Sequence, residues 1–296
     1  MFELRRILCP IDFSEFSVRA YRHGLMLAEH YRASLVALHI VEVWQYPSVS
    51  FAASAKLLEE YLQDIYAKGK EQLQEFVKNY THDETKPECI VLQGTASDSI
   101  EAFAKEKKTD LIVMGTHGRR GFDHLMLGSV TERVLRRAPC PVLAVCKPSR
   151  ELIDSGEQQD HVHRLNRILF CTDFSENSRR ALSYATSLAE RYNAELTLLH
   201  VMEEILSSTN IEAAKAEAIE QLNKLIPPKD LQASKVKTTV RVGKAYKQII
   251  GLAVETQADI VIMAVRGRDA LDLAVFGSTT YRVLQLGPCP VLAVHV

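Results

Sequence analysis

The chain carries one long segment twice, and that duplication limits its fold more than any other feature. Arg6–Glu42 and Arg167–Glu203 are identical at nineteen of 37 positions, at an offset of 161. The end repeats too: GSVTERVLRRAPCPVLAV begins at Gly128 and GSTTYRVLQLGPCPVLAV at Gly277, an offset of 149. The second copy is therefore about 12 residues shorter in its middle. A repeated unit of roughly 140 residues is a domain, far too long for one turn of a solenoid. The 296 residues read as a first domain over 1–147, a polar linker over 148–165 and a second domain over 166–296.

Composition narrows the classes. With 47% hydrophobic and 25% charged residues, each copy can build its own core. A net charge of -1 gives no general attraction to nucleic acid. No run approaches the roughly 18 apolar residues of a membrane-spanning helix, and MFELRRILCPIDFS lacks an apolar leader. The expectation is a soluble, cytoplasmic protein with no membrane partner. The six cysteines form no CxxC and no Cys/His metal spacing. Cys140 and Cys289 lie in matching Pro-Cys-Pro contexts and read as buried thiols, which suits a reducing compartment. His161 and His163 read as solvated linker residues.

Short apolar runs alternate with helical periods. In the first copy the expected strands are Ile7–Ile11, Leu35–Val41, Pro87–Leu92, Leu111–Met114 and Pro141–Cys146. Helices are expected over Glu15–Tyr31, Ala53–Tyr80, Ser97–Glu106 and Leu127–Arg137. The second copy follows the same plan, with the missing residues in or before its second helix. This order means a parallel sheet covered by helices on both faces. Such sheets bind ligands beyond the carboxyl ends of their strands, where strand order reverses. Asp12 and Gly115 both stand at strand ends. Asp12 can accept from a ligand's hydroxyls, or it can cap the helix that starts near Ser14. His39 and His200, inside apolar strands, read as packed and hydrogen-bonded.

The segment Gly115–Ser129 carries the most chemistry. Its glycines permit sharp turns and close backbone approach. Gly128-Ser129 opens a helix whose free N–H groups and dipole attract an anion. His117, Arg119, Arg120 and His124 add positive or titratable groups. This combination suits a polyphosphate, although the glycines alone also serve loop geometry. No GKS or GKT follows, so this is not a P-loop. It follows the fourth strand, whereas a dinucleotide fingerprint follows the first.

Gly115, Gly118, Gly128 and Ser129 fit the pattern G-x2-G-x9-G-[S/T]. With the PIDFSE opening and the PCPVLAV end, the chain resembles the universal stress protein family in its tandem form. The resemblance implies two open parallel five-stranded αβα domains, adenine nucleotide alpha hydrolase-like, with strand order 3-2-1-4-5, related by a pseudo-two-fold axis. It implies an ATP-binding stress-response or signalling protein with Mg²⁺ held through phosphates. Asp12 then takes the ribose side, and Ile40 and Val41 lie near the base. Met114 and Gly115 back the nucleotide, while Gly118, Gly128, Ser129 and Val130 surround the phosphates. Intramolecular domain pairing and a homodimer are further implied partners.

The second copy keeps the spacing and loses part of the pattern. Ala264 replaces the first glycine, and Asp269 and Asp272 bring negative charge. Weaker triphosphate binding is expected there, through Asp173, Met202, Gly267, Gly277 and Ser278. Little turnover is expected, because no Ser-His-Asp or Cys-His set is assignable. A slow ATPase or ATP-dependent transferase, and a scaffold with vestigial sites, remain as alternatives.

Overall fold

The computed structural model describes residues 3–42, 55–81, 85–118, 127–146, 165–203, 211–226, 235–265 and 277–295. Most of the linker, with His161 and His163, lies outside them, as do Trp44, Arg119, Arg120, His124, Gly267, Asp269 and Asp272.

The first copy runs β1 (Arg6–Ile11), α1 (Glu15–Tyr31), β2 (Ser34–Val41), α2 (Ala55–Tyr80), β3 (Glu88–Gln93), α3 (Ala96–Glu106), β4 (Leu111–Gly115), α4 (Ser129–Arg137) and β5 (Val142–Val145). The second runs β6 (Arg167–Thr172), α5 (Glu176–Tyr192), β7 (Glu195–Met202), α6 (Ile211–Leu225), β8 (Val236–Val242), α7 (Ala245–Glu255), β9 (Ile260–Ala264), α8 (Ser278–Leu286) and β10 (Val291–Val294). Strand order is β3-β2-β1-β4-β5 in the first copy and β8-β7-β6-β9-β10 in the second. The expected α/β class and strand order hold in both.

Packing divides the chain into two compact units, Glu3–Pro141 and Val142–Val296. In Glu3–Pro141, α1 packs on β1 and β4, and α2 on β2 and β3. The apolar stripe of α2 does face inward: Ile65, Leu73 and Phe76 are buried. Every residue of β4 is buried, which explains its unbroken apolar run. In Val142–Val296, β9 is buried along its length too. There β5 pairs with β10 antiparallel, while β10–β9, β9–β6, β6–β7 and β7–β8 pair parallel.

One device at the amino ends of the strands recurs. Asp110 Oδ2 accepts from the N–H groups of Arg5 and Arg6, both at 2.8 Å. Asp259 does the same for Asn166 and Arg167, both at 2.8 Å. One carboxylate oxygen thus satisfies two successive donors where the strand begins.

Candidate functional site

β1 pairs with β2 on one side and with β4 on the other. The strand order reverses between β1 and β4, so the crevice lies beyond their carboxyl ends. The chain leaves β1 through Asp12 and Phe13. Phe13 takes φ 64°, a left-handed conformation that costs an L-residue roughly 1–2 kcal/mol. Its ring packs on His39, with centroids 4.5 Å apart, and meets Phe76 edge-on at 5.9 Å. His39 Nδ1 lies 2.8 Å from the Ile11 carbonyl, and a carbonyl only accepts, so Nδ1 carries the hydrogen. The second copy repeats the whole turn. Phe174 has φ 62°, its ring lies 4.3 Å from that of His200, and His200 Nδ1 bonds the Thr172 carbonyl at 2.8 Å. Both histidines are packed and bonded, as their place in apolar strands implies.

Ser14 is the N-cap of α1, its hydroxyl accepting from Ser17 N–H at 3.2 Å. Asp12 braces that cap. Its Oδ1 accepts from Ser14 N–H at 3.0 Å and from Ser14 Oγ–H at 2.6 Å. The other oxygen faces the glycine loop: a Cβ built on Gly118 would stand 2.8 Å from Asp12 Oδ2. The sheet therefore brings the first-strand carboxylate against the second glycine of the motif.

The three motif glycines have different reasons to be glycine. A Cβ on Gly115 would stand 2.7 Å from Phe16 Cβ and 3.0 Å from the Phe16 carbonyl oxygen. The missing side chain there lets α1 approach β4. The sequence argument placed the cost of Ala264 at the phosphates, but this direction points to the helix; Phe16 has Asn177 as its counterpart. Gly128 serves the start of α4. Its N–H donates to the Thr116 carbonyl at 2.8 Å, and a Cβ would stand 3.2 Å from that oxygen. Because Gly128 is held in this way, α4 begins at Ser129, two residues later than the apolar pattern implied. The N–H groups of Ser129 and Val130 have no acceptor within the helix and carry the positive end of its dipole.

Thr131, from the same helix, donates Oγ1–H to the Gly115 carbonyl at 2.8 Å and clamps the loop at its base. Thr116 is fully buried, and its Oγ1 lies 2.9 Å from His117 Nδ1. The His117 ring packs on Phe16, with centroids 5.1 Å apart. Val41 and Met114 are buried at the ends of β2 and β4, and Ile40 is half-buried. The Val41 carbonyl accepts from Gly94 N–H at 3.2 Å.

In the second copy Asp173 Oδ1 accepts from Ser175 N–H at 3.0 Å, and the Met202 carbonyl from Gly243 N–H at 2.9 Å. Gly277 and Ser278 open α8. The clamp is present but longer: Gly277 N–H to the Val265 carbonyl spans 3.4 Å, and Thr280 Oγ1 to the Ala264 carbonyl 3.3 Å.

Sequence reasoning missed Glu42 and Glu203. Glu42 accepts from Ala96 N–H at 3.0 Å at the start of α3, and Glu203 from Ala245 N–H at 2.7 Å at the start of α7. Each ties the end of the base-side strand to a helix N-terminus, where a carboxylate is favoured. The signal was visible: both repeated segments close on the same glutamate. Gly94 and Gly243, at φ 147° and 128°, make the turn that lets the two parts meet.

A universal stress protein family model matches residues 3–145 and again 164–295. The chain belongs to the universal stress protein family. Universal stress protein MJ0531 of Methanocaldococcus jannaschii is 36% identical over 147 residues, covering 50% of this chain and 85% of that protein. Universal stress protein YxiE of Bacillus subtilis is 29% identical over 144 residues, covering 47% of this chain and 97% of that protein. The crystal structure of a universal stress protein from Archaeoglobus fulgidus superposes with a TM-score of 0.69 at 22% identity. That likeness covers 99% of this chain and 97% of the other, and it extends to the two-domain fold. No described helix is long and apolar enough to cross a membrane.

Proposed function

We propose that the first copy binds ATP with Mg²⁺ as a ligand in a cytoplasmic stress response or signal, with little turnover. The observation that carries this reading is the approach of Asp12 Oδ2 to Gly118 at the β1–β4 reversal. A cradle that any Cβ would fill lies there beside a carboxylate, and the motif glycine Gly128 opens α4. These residues fit the nucleotide. Asp12 would accept from the ribose hydroxyls, Ile40 and Val41 would side the base, and Met114 and Gly115 would back it. The amides at Gly118, Gly128, Ser129 and Val130 would receive the phosphates. Among the described residues no group of three His, Cys, Asp or Glu is placed to hold a metal. A Mg²⁺ held through the phosphates would supply charge neutralisation when bound.

Low turnover is our reading because no Ser-His-Asp or Cys-His set is assignable in the sequence. A base must reach the attacking water. Asp12 Oδ1 is engaged by Ser14, and His117 Nδ1 by Thr116. Titration calorimetry of ATP–Mg²⁺ into the parent chain, Gly118→Val and Asp12→Ala tests the site. Retained parental affinity in both folded variants would sink it. Steady-state turnover above about 1 s⁻¹, low on the scale of enzymes, would overturn the ligand role.

The second copy is proposed as the weaker triphosphate site. Its longer clamp and the acidic residues of its loop support that reading.

A further inference from the structure

We propose that Cys146 and Cys289 are a disulfide-forming pair, a modification site independent of the nucleotide reading. The register of the antiparallel ladder carries the argument. Val291 faces Ala144, Leu292 faces Leu143 and Ala293 faces Val142. Continued two residues beyond the first of these pairs, the same register sets Cys289 against Cys146. The Cys146 thiol reaches this stretch of backbone: its Sγ lies 3.2 Å from the Cys289 carbonyl oxygen and 3.4 Å from that of Gly287. Residues directly opposite in an antiparallel pair point to the same side, with Cα atoms about 4.5–5.5 Å apart. A disulfide needs Cα atoms roughly 4.4–6.8 Å apart. Carried on to residues 146 and 289, that register would hold the two backbones within this range.

The other thiols are placed differently. Cys9 and Cys89 both face Ala37, one from each side, so they stand two strand spacings apart, about 9–10 Å. That is too far to bridge. In the second copy the position equivalent to Cys146 is His295, so the repeat supplies this pairing once.

Cys146 and Cys289 are buried thiols, neither of them in a disulfide, which sets the chemistry. A buried thiol resists ionisation, so the bond closes slowly and by exchange with a disulfide oxidant. With oxidised glutathione, one protein thiolate attacks and displaces one glutathione thiol, giving a mixed disulfide. The second cysteine displaces the other glutathione thiol. Both protein thiols give up their protons and together two electrons, and two glutathione thiols carry them away. The product joins residue 146 to residue 289 within the unit Val142–Val296.

The test is equilibration of the full chain in glutathione buffers of increasing oxidised fraction, followed by acid quench, digestion without reductant and peptide mass mapping. The expected result is a linked peptide pair containing Cys146 and Cys289, two mass units below the sum of the reduced peptides. Cys146→Ser and Cys289→Ser should each abolish it, and Cys89→Ser, which removes the half-exposed competitor, should leave it. Thermal unfolding of the oxidised parent should shift upward and return on reduction. The proposal is overturned if both thiols stay reduced at the oxidising end, if they carry only glutathione, or if another pair is linked.

Discussion

The base of the glycine loop is built from equivalent groups in both copies, at different tightness. In the first, Gly128 and Thr131 reach back to the β4 end with two bonds of 2.8 Å. In the second, Gly277 and Thr280 make the same two contacts at 3.4 and 3.3 Å. The last residue of the strand ahead of each loop differs by one methyl, Gly115 against Ala264. The duplication works as an internal control: the turn at Phe13 and Phe174 and the capping serines were kept, while the crevice floor changed. Thr116, His117 and Phe16 became Val265, Arg266 and Asn177 together.

The largest effect that could break this comparison lies at the first glycine. Gly115→Val should destabilise the chain by about 3 kcal/mol, because its Cβ meets helix backbone that cannot move cheaply. The reciprocal Ala264→Gly should cost only about 0.5–1 kcal/mol, through chain entropy. Urea unfolding of the two variants checks both. Equal losses would show that α1 and α5 sit alike on their strands.

A second contrast concerns affinity. Asp12→Ala should weaken ATP binding about 10- to 100-fold, the worth of a hydrogen bond to a charged group. Asp173→Ala should leave the tighter ATP site unchanged in the same titration. If Asp173→Ala removes it, the roles of the two copies are reversed.

The clamp gives a smaller difference. Thr131→Val leaves the Gly115 carbonyl without its side-chain donor and should cost about 1–2 kcal/mol. Thr280→Val, at the longer contact, should cost less than about 1 kcal/mol. Denaturant midpoints measure both, and a larger loss at Thr280 would remove the case for a looser second site.

The last effect is alkaline. Burial pushes the Cys146 thiol from 9.0 up to about 11, and the Cys140 thiol up to about 12. The unfolded chain releases these protons first. The stability they contribute is complete below pH 9 and is lost as the pH rises through 9 towards 11 and 12. Cys146→Ser should flatten the fall in stability between pH 9 and 11. An unchanged slope would show that this thiol does not titrate on unfolding.

Much of this architecture was legible in the residues. The duplication announced two copies of one plan, and the alternation of unbroken apolar runs with helical periods led to the parallel order. The strand order 3-2-1-4-5, and with it the meeting of Asp12 with the glycine loop, came from the family resemblance. The purpose of Gly115 did not. A glycine in a sequence shows that a side chain is missing, but not the direction in which it would have pointed. The threonine clamp was hidden for a related reason: Thr131 acts on a carbonyl sixteen residues earlier, and no local pattern marks such a bond. The start of α4 was misplaced by two residues because a capping residue, not an apolar period, sets the first turn at Ser129.

The Thr131 clamp also bears on how such a chain can change. It closes the segment from Gly115 to Thr131 at its neck, so the ends of the loop are fixed whatever lies between them. Once a loop's ends are held, doubling its length costs only about 0.6 kcal/mol. Insertions and rewritten residues beyond Gly118 can then accumulate without reaching the sheet. The second copy, with its acidic residues in that stretch and its neck still recognisable, is one outcome of that freedom.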